Sequence, residues 1–191
     1  MRRALGTWVA LAVVLLCGVI TVSLLHETQS NLKLPLSDAS IIRQQASEKH
    51  LDPALIAAVI YAETKFEPRT SSAGAEGLMQ ILPATAYYLA HLSGGIRFTA
   101  SDLSTPAVNV AYGSYYLRYL LDHYQGDEML AVAAYNAGLT NVDEWVAHAH
   151  ATGSELNVEA IPFPETREYV RRVLDAQREY RETYPSELGI G

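Results

Sequence analysis

Cysteine is almost missing from this 191-residue chain: Cys17 stands alone, so no disulfide can form within it and the fold must be held by packing. A surplus of positive charge is missing too. With 14 Lys and Arg against 21 Asp and Glu the net charge is −7, which argues against a nucleic-acid partner, whose phosphates call for a basic face. Metal-ligand spacing is absent as well: His148 and His150 have neither a carboxylate nor a cysteine at a ligand spacing, and no metal or cofactor is expected. Strand-like alternation is absent from residues 37–184, which leaves helices as the building material. The 49% of hydrophobic and 9% of aromatic residues suffice for one domain with a real core plus a short appendage, and two domains would be crowded.

Charge is also absent from residues 4–25, a run long enough to cross a bilayer as a helix. Arg2 and Arg3 precede it and His26 and Glu27 close it, so the arginines are expected on the cytoplasmic side and the remainder outside. The rival is a cleaved signal peptide, but the run is longer than the usual apolar core and lacks small residues at a cleavage site. A lipoprotein reading of Cys17 meets Leu16 where a small residue belongs. The expected division is therefore a cytoplasmic terminus and anchor over 1–28, a tether over 29–36, a globular domain over 37–184 and a tail over 185–191.

The densest part of that domain is 54–62, ALIAAVIYA, which carries no charge on any face and reads as a helix surrounded by protein. Asp52 is its expected N-cap and Pro53 its first turn. Glu63 ends it. On a 3.6-residue period Glu63 lies over Val59 and Ile60, and a last-turn carboxylate also meets the negative end of the helix dipole. Both effects favour the protonated acid, which is the form a general acid for glycosidic cleavage requires. Phe66 and Pro68 stop the helix, and a Ser- and Gly-rich loop follows over 69–75.

The other helices are read from caps and periodicity. Ser37 or Asp38 caps a first helix ending near Lys49, with Ile41 and Ile42 inward, and Pro83 starts another that ends at His91. Residues 92–104 read as loop. Thr105 and Pro106 then open a helix whose stripe is Val110, Leu117, Leu120, Leu121 and Tyr124. Its tyrosines, Tyr112, Tyr115, Tyr116, Tyr119 and Tyr124, are taken as core and rim packing rather than a sugar platform. A helix over 127–136 delivers Tyr135 and Asn136 to its end, where Gly138 can adopt the conformation that stops it. Residues 145–159 read as irregular, and a last helix runs from Glu165 to about Tyr184 with Tyr169, Val170, Val173 and Leu174 inward. Its arginines, including Arg167, Arg171 and Arg172, are read as a solvated face with glutamate partners.

Glu63, Phe66, Pro68 and the run Gly74, Ala75, Gly77, Leu78, Met79, Gln80 resemble the signature of the lytic transglycosylases with a goose-lysozyme-like catalytic domain. Thr64 stands where that family usually has Ser, and it keeps a hydroxyl. The Ala-Tyr-Asn-Ala-Gly at 134–138 and the IPFPETREYV at 161–170 resemble the family's later motifs, in the same order. Asn109 and Gly113 match an Asn and a Gly of the family and are read as structural.

The resemblance covers residues 51–173. It implies an all-α, lysozyme-like domain that cleaves the MurNAc-GlcNAc bond of peptidoglycan glycan strands and closes a 1,6-anhydro ring on the muramyl sugar. Glu63 would be the catalytic residue, with Gln80, Tyr135, Asn136, Glu165 and either Ser71 or Ser72 on the substrate. Counting back from Gly74 favours Ser71 and counting forward from Glu63 favours Ser72. A muramidase using water on the same fold, and a membrane-held peptidoglycan-binding protein without catalysis, are the alternatives. Nothing in the sequence names a protein partner.

Overall fold

The computed structural model describes residues 33–94 and 98–191. The membrane helix expected within 4–25 and the first part of the tether lie outside these. Among the described residues no helix is long and apolar enough to cross a membrane. Pro35–Gly191 forms one compact unit. It contains helices α1 (Ala39–Lys49), α2 (Pro53–Thr64), α3 (Pro83–Ser93), α4 (Pro106–His123), α5 (Glu128–Ala137), α6 (Leu139–Ala151), α7 (Pro164–Thr183) and α8 (Pro185–Leu188). Between α2 and α3 lies one antiparallel pair, β1 (Arg69–Thr70) and β2 (Glu76–Gly77), with Arg69 opposite Gly77. Strands of two residues are too short to show alternation, so an all-helical expectation missed them.

The core is built around α2. Every residue from Ala54 to Ile60 is at most 1% exposed. Burying each of Leu55, Ile56, Val59 and Ile60 contributes roughly 1.5–3 kcal/mol before conformational entropy is counted. Asp52 caps the helix as expected, its Oδ1 accepting the Ala54 N–H at 3.0 Å. The helix packs most extensively on α7. It stops because Lys65 and Phe66 both take positive φ, 55° and 66°, which swings the chain away before Pro68.

Elsewhere the expected helices are present, with four corrections. Asp38 occupies the N-cap of α1 but does not cap it; its carboxylate accepts the Ser37 hydroxyl at 2.9 Å instead. The segment 92–104 is not all loop: α3 continues to Ser93, and Ala100–Ser104 forms a 3-10 turn. Asp102 Oδ2 accepts the Thr99 N–H at 2.8 Å at the start of that turn, and Leu103 is fully buried beneath it. Residues 145–151 continue α6, held by buried Val142 and Ala149 and by Trp145, whose ring meets Phe163 edge-on at 4.9 Å. Lastly, 185–191 contains α8, whose Leu188 is 1% exposed against the domain.

Candidate active site

Glu63 lies in the last turn of α2, where the helix leaves the core. Its Oε1 accepts a hydrogen bond from the Tyr169 hydroxyl at 2.7 Å, and Tyr169 is itself only 4% exposed on α7. Burial pushes the Glu63 carboxyl up from 4.5 to about 7, against the opposing pull of the Tyr169 bond and the charges of Arg69 and Arg172. The acid is therefore close to half protonated at neutral pH, the condition under which one group can first give and then take a proton.

The segment from β2 toward α3 is fixed by polar groups drawn from three elements. Asn109, fully buried on α4, accepts the Met79 N–H at 2.8 Å and donates to the carbonyls of Glu76 at 2.8 Å and Leu103 at 3.0 Å. Gly77 has φ 74°, and a Cβ there would sit 2.2 Å from Asn109 Nδ2. At Gly113 a Cβ would sit 2.3 Å from Met79 Sδ, so this glycine lets the buried Met79 rest on α4. The Thr64 hydroxyl lies 2.8 Å from the Leu78 carbonyl, and the Tyr135 hydroxyl donates to the Met79 carbonyl at 2.9 Å. The two positions expected to be structural, Asn109 and Gly113, have that place in the structure.

Gln80 adopts φ 48°, and its Nε2 donates to the Arg69 carbonyl at 2.7 Å and the Gly77 carbonyl at 2.9 Å. Gln80, Tyr135 and Asn136 line a hollow of about 250 Å³, with Thr85 and Tyr116 on its wall. Asn136 also lines a neighbouring hollow of about 430 Å³ with Phe163 and Glu165, where its Oδ1 accepts the Thr166 hydroxyl at 2.7 Å. Glu63 opens onto a third, larger hollow of about 680 Å³. Its neighbours there are Lys65, Glu67, Arg69 and Arg172. The Gln80 amide on the Arg69 carbonyl ties this hollow to the first.

The serines stand apart from the three hollows. Ser71 Oγ accepts the Ala75 N–H at 3.0 Å and so shapes its own turn, while Ser72 is exposed. Tyr116 both packs and lines the site, 5.3 Å from the Tyr135 ring and 6.4 Å from Tyr119, on which it stacks. Two positions beside Glu63 escape a sequence reading. Tyr169 is visible there only as an inward residue, and Arg172 only as one of a row of surface arginines. In the structure Arg171 and Arg178 have acidic partners as expected, but Arg172 lies in the hollow beside Glu63.

The site is thus a desolvated carboxyl at the end of the central buried helix of a helical domain, opening onto one of three hollows. Residues 40–158 match the family described as the transglycosylase SLT domain, and the chain belongs to that family. It is 32% identical over 152 residues to the soluble lytic murein transglycosylase of Escherichia coli K12, covering 78% of this chain and 24% of that one. It is also 39% identical over 103 residues to the transglycosylase of Enterobacteria phage PRD1, covering 53% of this chain and 35% of that one. The crystal structure of the 70 kDa soluble lytic transglycosylase of Escherichia coli superimposes with a TM-score of 0.71 at 30% identity, over 78% of this chain and 25% of that one. The chain thus spans about a quarter of the length of these soluble relatives.

Proposed function

We propose that the domain cleaves the β-1,4 bond between N-acetylmuramic acid and N-acetylglucosamine in peptidoglycan and leaves a 1,6-anhydro-N-acetylmuramic acid end. The observation that carries this is the carboxyl of Glu63, raised to about 7 by burial and hydrogen-bonded by Tyr169. Protonated Glu63 donates to the glycosidic oxygen, the bond to the muramyl C1 breaks, and the glucosamine leaves with a free C4 hydroxyl. Glu63, now anionic, is stabilised by the Tyr169 hydroxyl at Oε1. It takes the proton of the muramyl C6 hydroxyl as that oxygen attacks C1 and closes the ring. No water is consumed, and Glu63 ends as it began. Gln80, Tyr135 and Asn136 are assigned to holding the sugars and their acetamido groups. Ser71 or Ser72 is assigned to the loop side of the groove, and Glu165 to the hollow beyond Asn136.

Mass analysis of the digest tests this reaction. The expected product is lighter by one water than a hydrolysed chain and takes no oxygen from labelled water. A reducing muramic acid with labelled oxygen at C1 would establish a muramidase instead. Because Glu63 performs both proton transfers, a chelator is expected to leave the rate unchanged. A purely binding role has no use for an acid held near neutrality, and Glu63 speaks against it.

The charge-free run 4–25 after Arg2 and Arg3 supports a further part of the reading, that a membrane helix holds the domain on the outer side of the cytoplasmic membrane. Recovery of the intact chain in the membrane fraction is expected. A mature soluble form starting after the run would identify a signal peptide.

A further inference from the structure

The hollow beside Glu63 is lined by three cations, Lys65 at the end of α2, Arg69 in β1 and Arg172 on α7, against the single additional acid Glu67. None of the three makes an ion pair with a carboxylate among the described residues, although acids outnumber bases in this chain, whose net charge is −7. Several other bases do have acidic partners: Arg118 pairs with Asp122, Arg171 with Glu159 and Glu168, and Arg181 with Asp52, while Arg43 and Arg167 donate to the backbone carbonyls of Glu187 and Ile161. Arg69 is exposed and its guanidinium makes one hydrogen bond among the described residues, from Nη2 to the Glu63 carbonyl at 2.7 Å. At about 680 Å³ the hollow has room for a substituent of several residues rather than a single sugar group.

Unpaired guanidinium and ammonium groups around a roomy hollow fit a ligand that brings carboxylates. The sugar rings of a glycan strand carry none. A muramyl residue does, either as the free carboxylate of its lactyl ether at C3 or on a stem peptide joined to that ether. Because Glu63 forms part of the wall, a muramyl sugar that presents its glycosidic oxygen to Glu63 has its substituents next to the three cations. We propose that Lys65, Arg69 and Arg172 bind a carboxylate carried by the muramyl residue at the cleaved bond. This rests on the proposed reaction and adds to it a specificity site for the acidic substituent.

The test measures kcat and KM of the full chain on three soluble glycan strands: one bearing stem peptides, one stripped of them, and one stripped with its lactyl carboxylates converted to methylamides. The proteins are the wild type, Lys65→Gln, the double variant Lys65→Gln/Arg172→Gln, and Arg172→Lys. Lys65 and Arg172 are exposed, so the substitutions are expected to leave folding intact. The double variant is expected to raise KM about 3- to 10-fold on the strand that carries the recognised carboxylate, the scale of two solvent-screened charge contacts. Lys65→Gln gives a smaller rise and Arg172→Lys almost none; KM on the methylamide strand is indifferent to all of them, and any change in kcat from the lost pull of Arg172 on Glu63 is common to the three strands. A rise confined to the peptide-bearing strand assigns the site to the stem peptide; a rise on the stripped strand assigns it to the lactyl carboxylate. An unchanged KM for the double variant on every strand, or an equal rise that includes the methylamide strand, overturns the proposal. Failure of the wild type to cleave any strand would refute the reaction itself, a result distinct from an active wild type whose variants bind equally well.

Discussion

Glu63→Gln separates the catalytic cost of losing an acid from the structural gain of losing a buried charge. Below pH 4.5 the carboxyl is protonated in both the folded and the unfolded chain, and ionisation makes no difference to stability. As the pH rises from 4.5 toward about 7, the unfolded chain ionises freely while the folded one still holds its proton, so stability falls with rising pH through this window. At about 1.4 kcal/mol per pH unit, the full penalty above pH 7 is roughly 3 kcal/mol, of which about 2.5 kcal/mol accumulates between pH 5 and pH 8. Glutamine keeps the shape and cannot ionise. Urea denaturation of both full-length proteins in the same detergent, at one-unit steps from pH 5 to pH 8, is expected to show the variant gaining on the wild type by roughly 2 kcal/mol or more across that range. The same variant is expected to lose about 100-fold or more in kcat, the scale of general acid-base catalysis. Parallel stability profiles would refute the argument that burial raises the acid, and near-normal turnover would refute its role.

Tyr169→Phe removes the hydroxyl that favours ionised Glu63. The alkaline limb of the pH-rate profile, which requires protonated Glu63, is expected to move above 7 while kcat falls about 10-fold; an unmoved limb would make Tyr169 a packing residue only. Asn109→Ala strands the Met79 N–H and the Glu76 and Leu103 carbonyls in the interior and is expected to cost roughly 2–4 kcal/mol, read by urea denaturation. Gly113→Ala drives a methyl into Met79 and is expected to cost about 1–3 kcal/mol with a parallel loss of activity, because Met79 carries the carbonyl that holds Tyr135. Full activity in Gly113→Ala would mean that the loop shifts without disturbing the site.

The parts of this site that a sequence displays are those whose chemistry is local. A charge-free helix ending in Glu63 announces a buried acid because the nine positions before it carry no charge; the structure buries Ala54 to Ile60, while Tyr61 and Ala62 are half-buried and line the hollow beside Glu63. Gly77 and Gly113 are local in a different sense: each needs the absence of a side chain, and glycine is the residue that supplies it. What stays hidden is what one element turns toward another. Tyr169 follows Glu63 by 106 positions, and nothing in the periodicity of α7 says that its inward hydroxyl ends on that carboxyl rather than in the core. The short 3-10 turn at Ala100–Ser104 is hidden for a related reason, since its single buried Leu103 is too sparse a signal to set a period. Arg172 makes the distinction sharpest. Helical spacing places Tyr169, Val170 and Val173 inward as they are found, though Leu174 is only half-buried and Gln177 is buried, and the polar face has two outlooks: Arg171 looks at Glu159 and Glu168, and Arg172 shares a hollow with Glu63. Periodicity tells which residues avoid the core. Only the packing of α7 against α2 tells which of them meets the site.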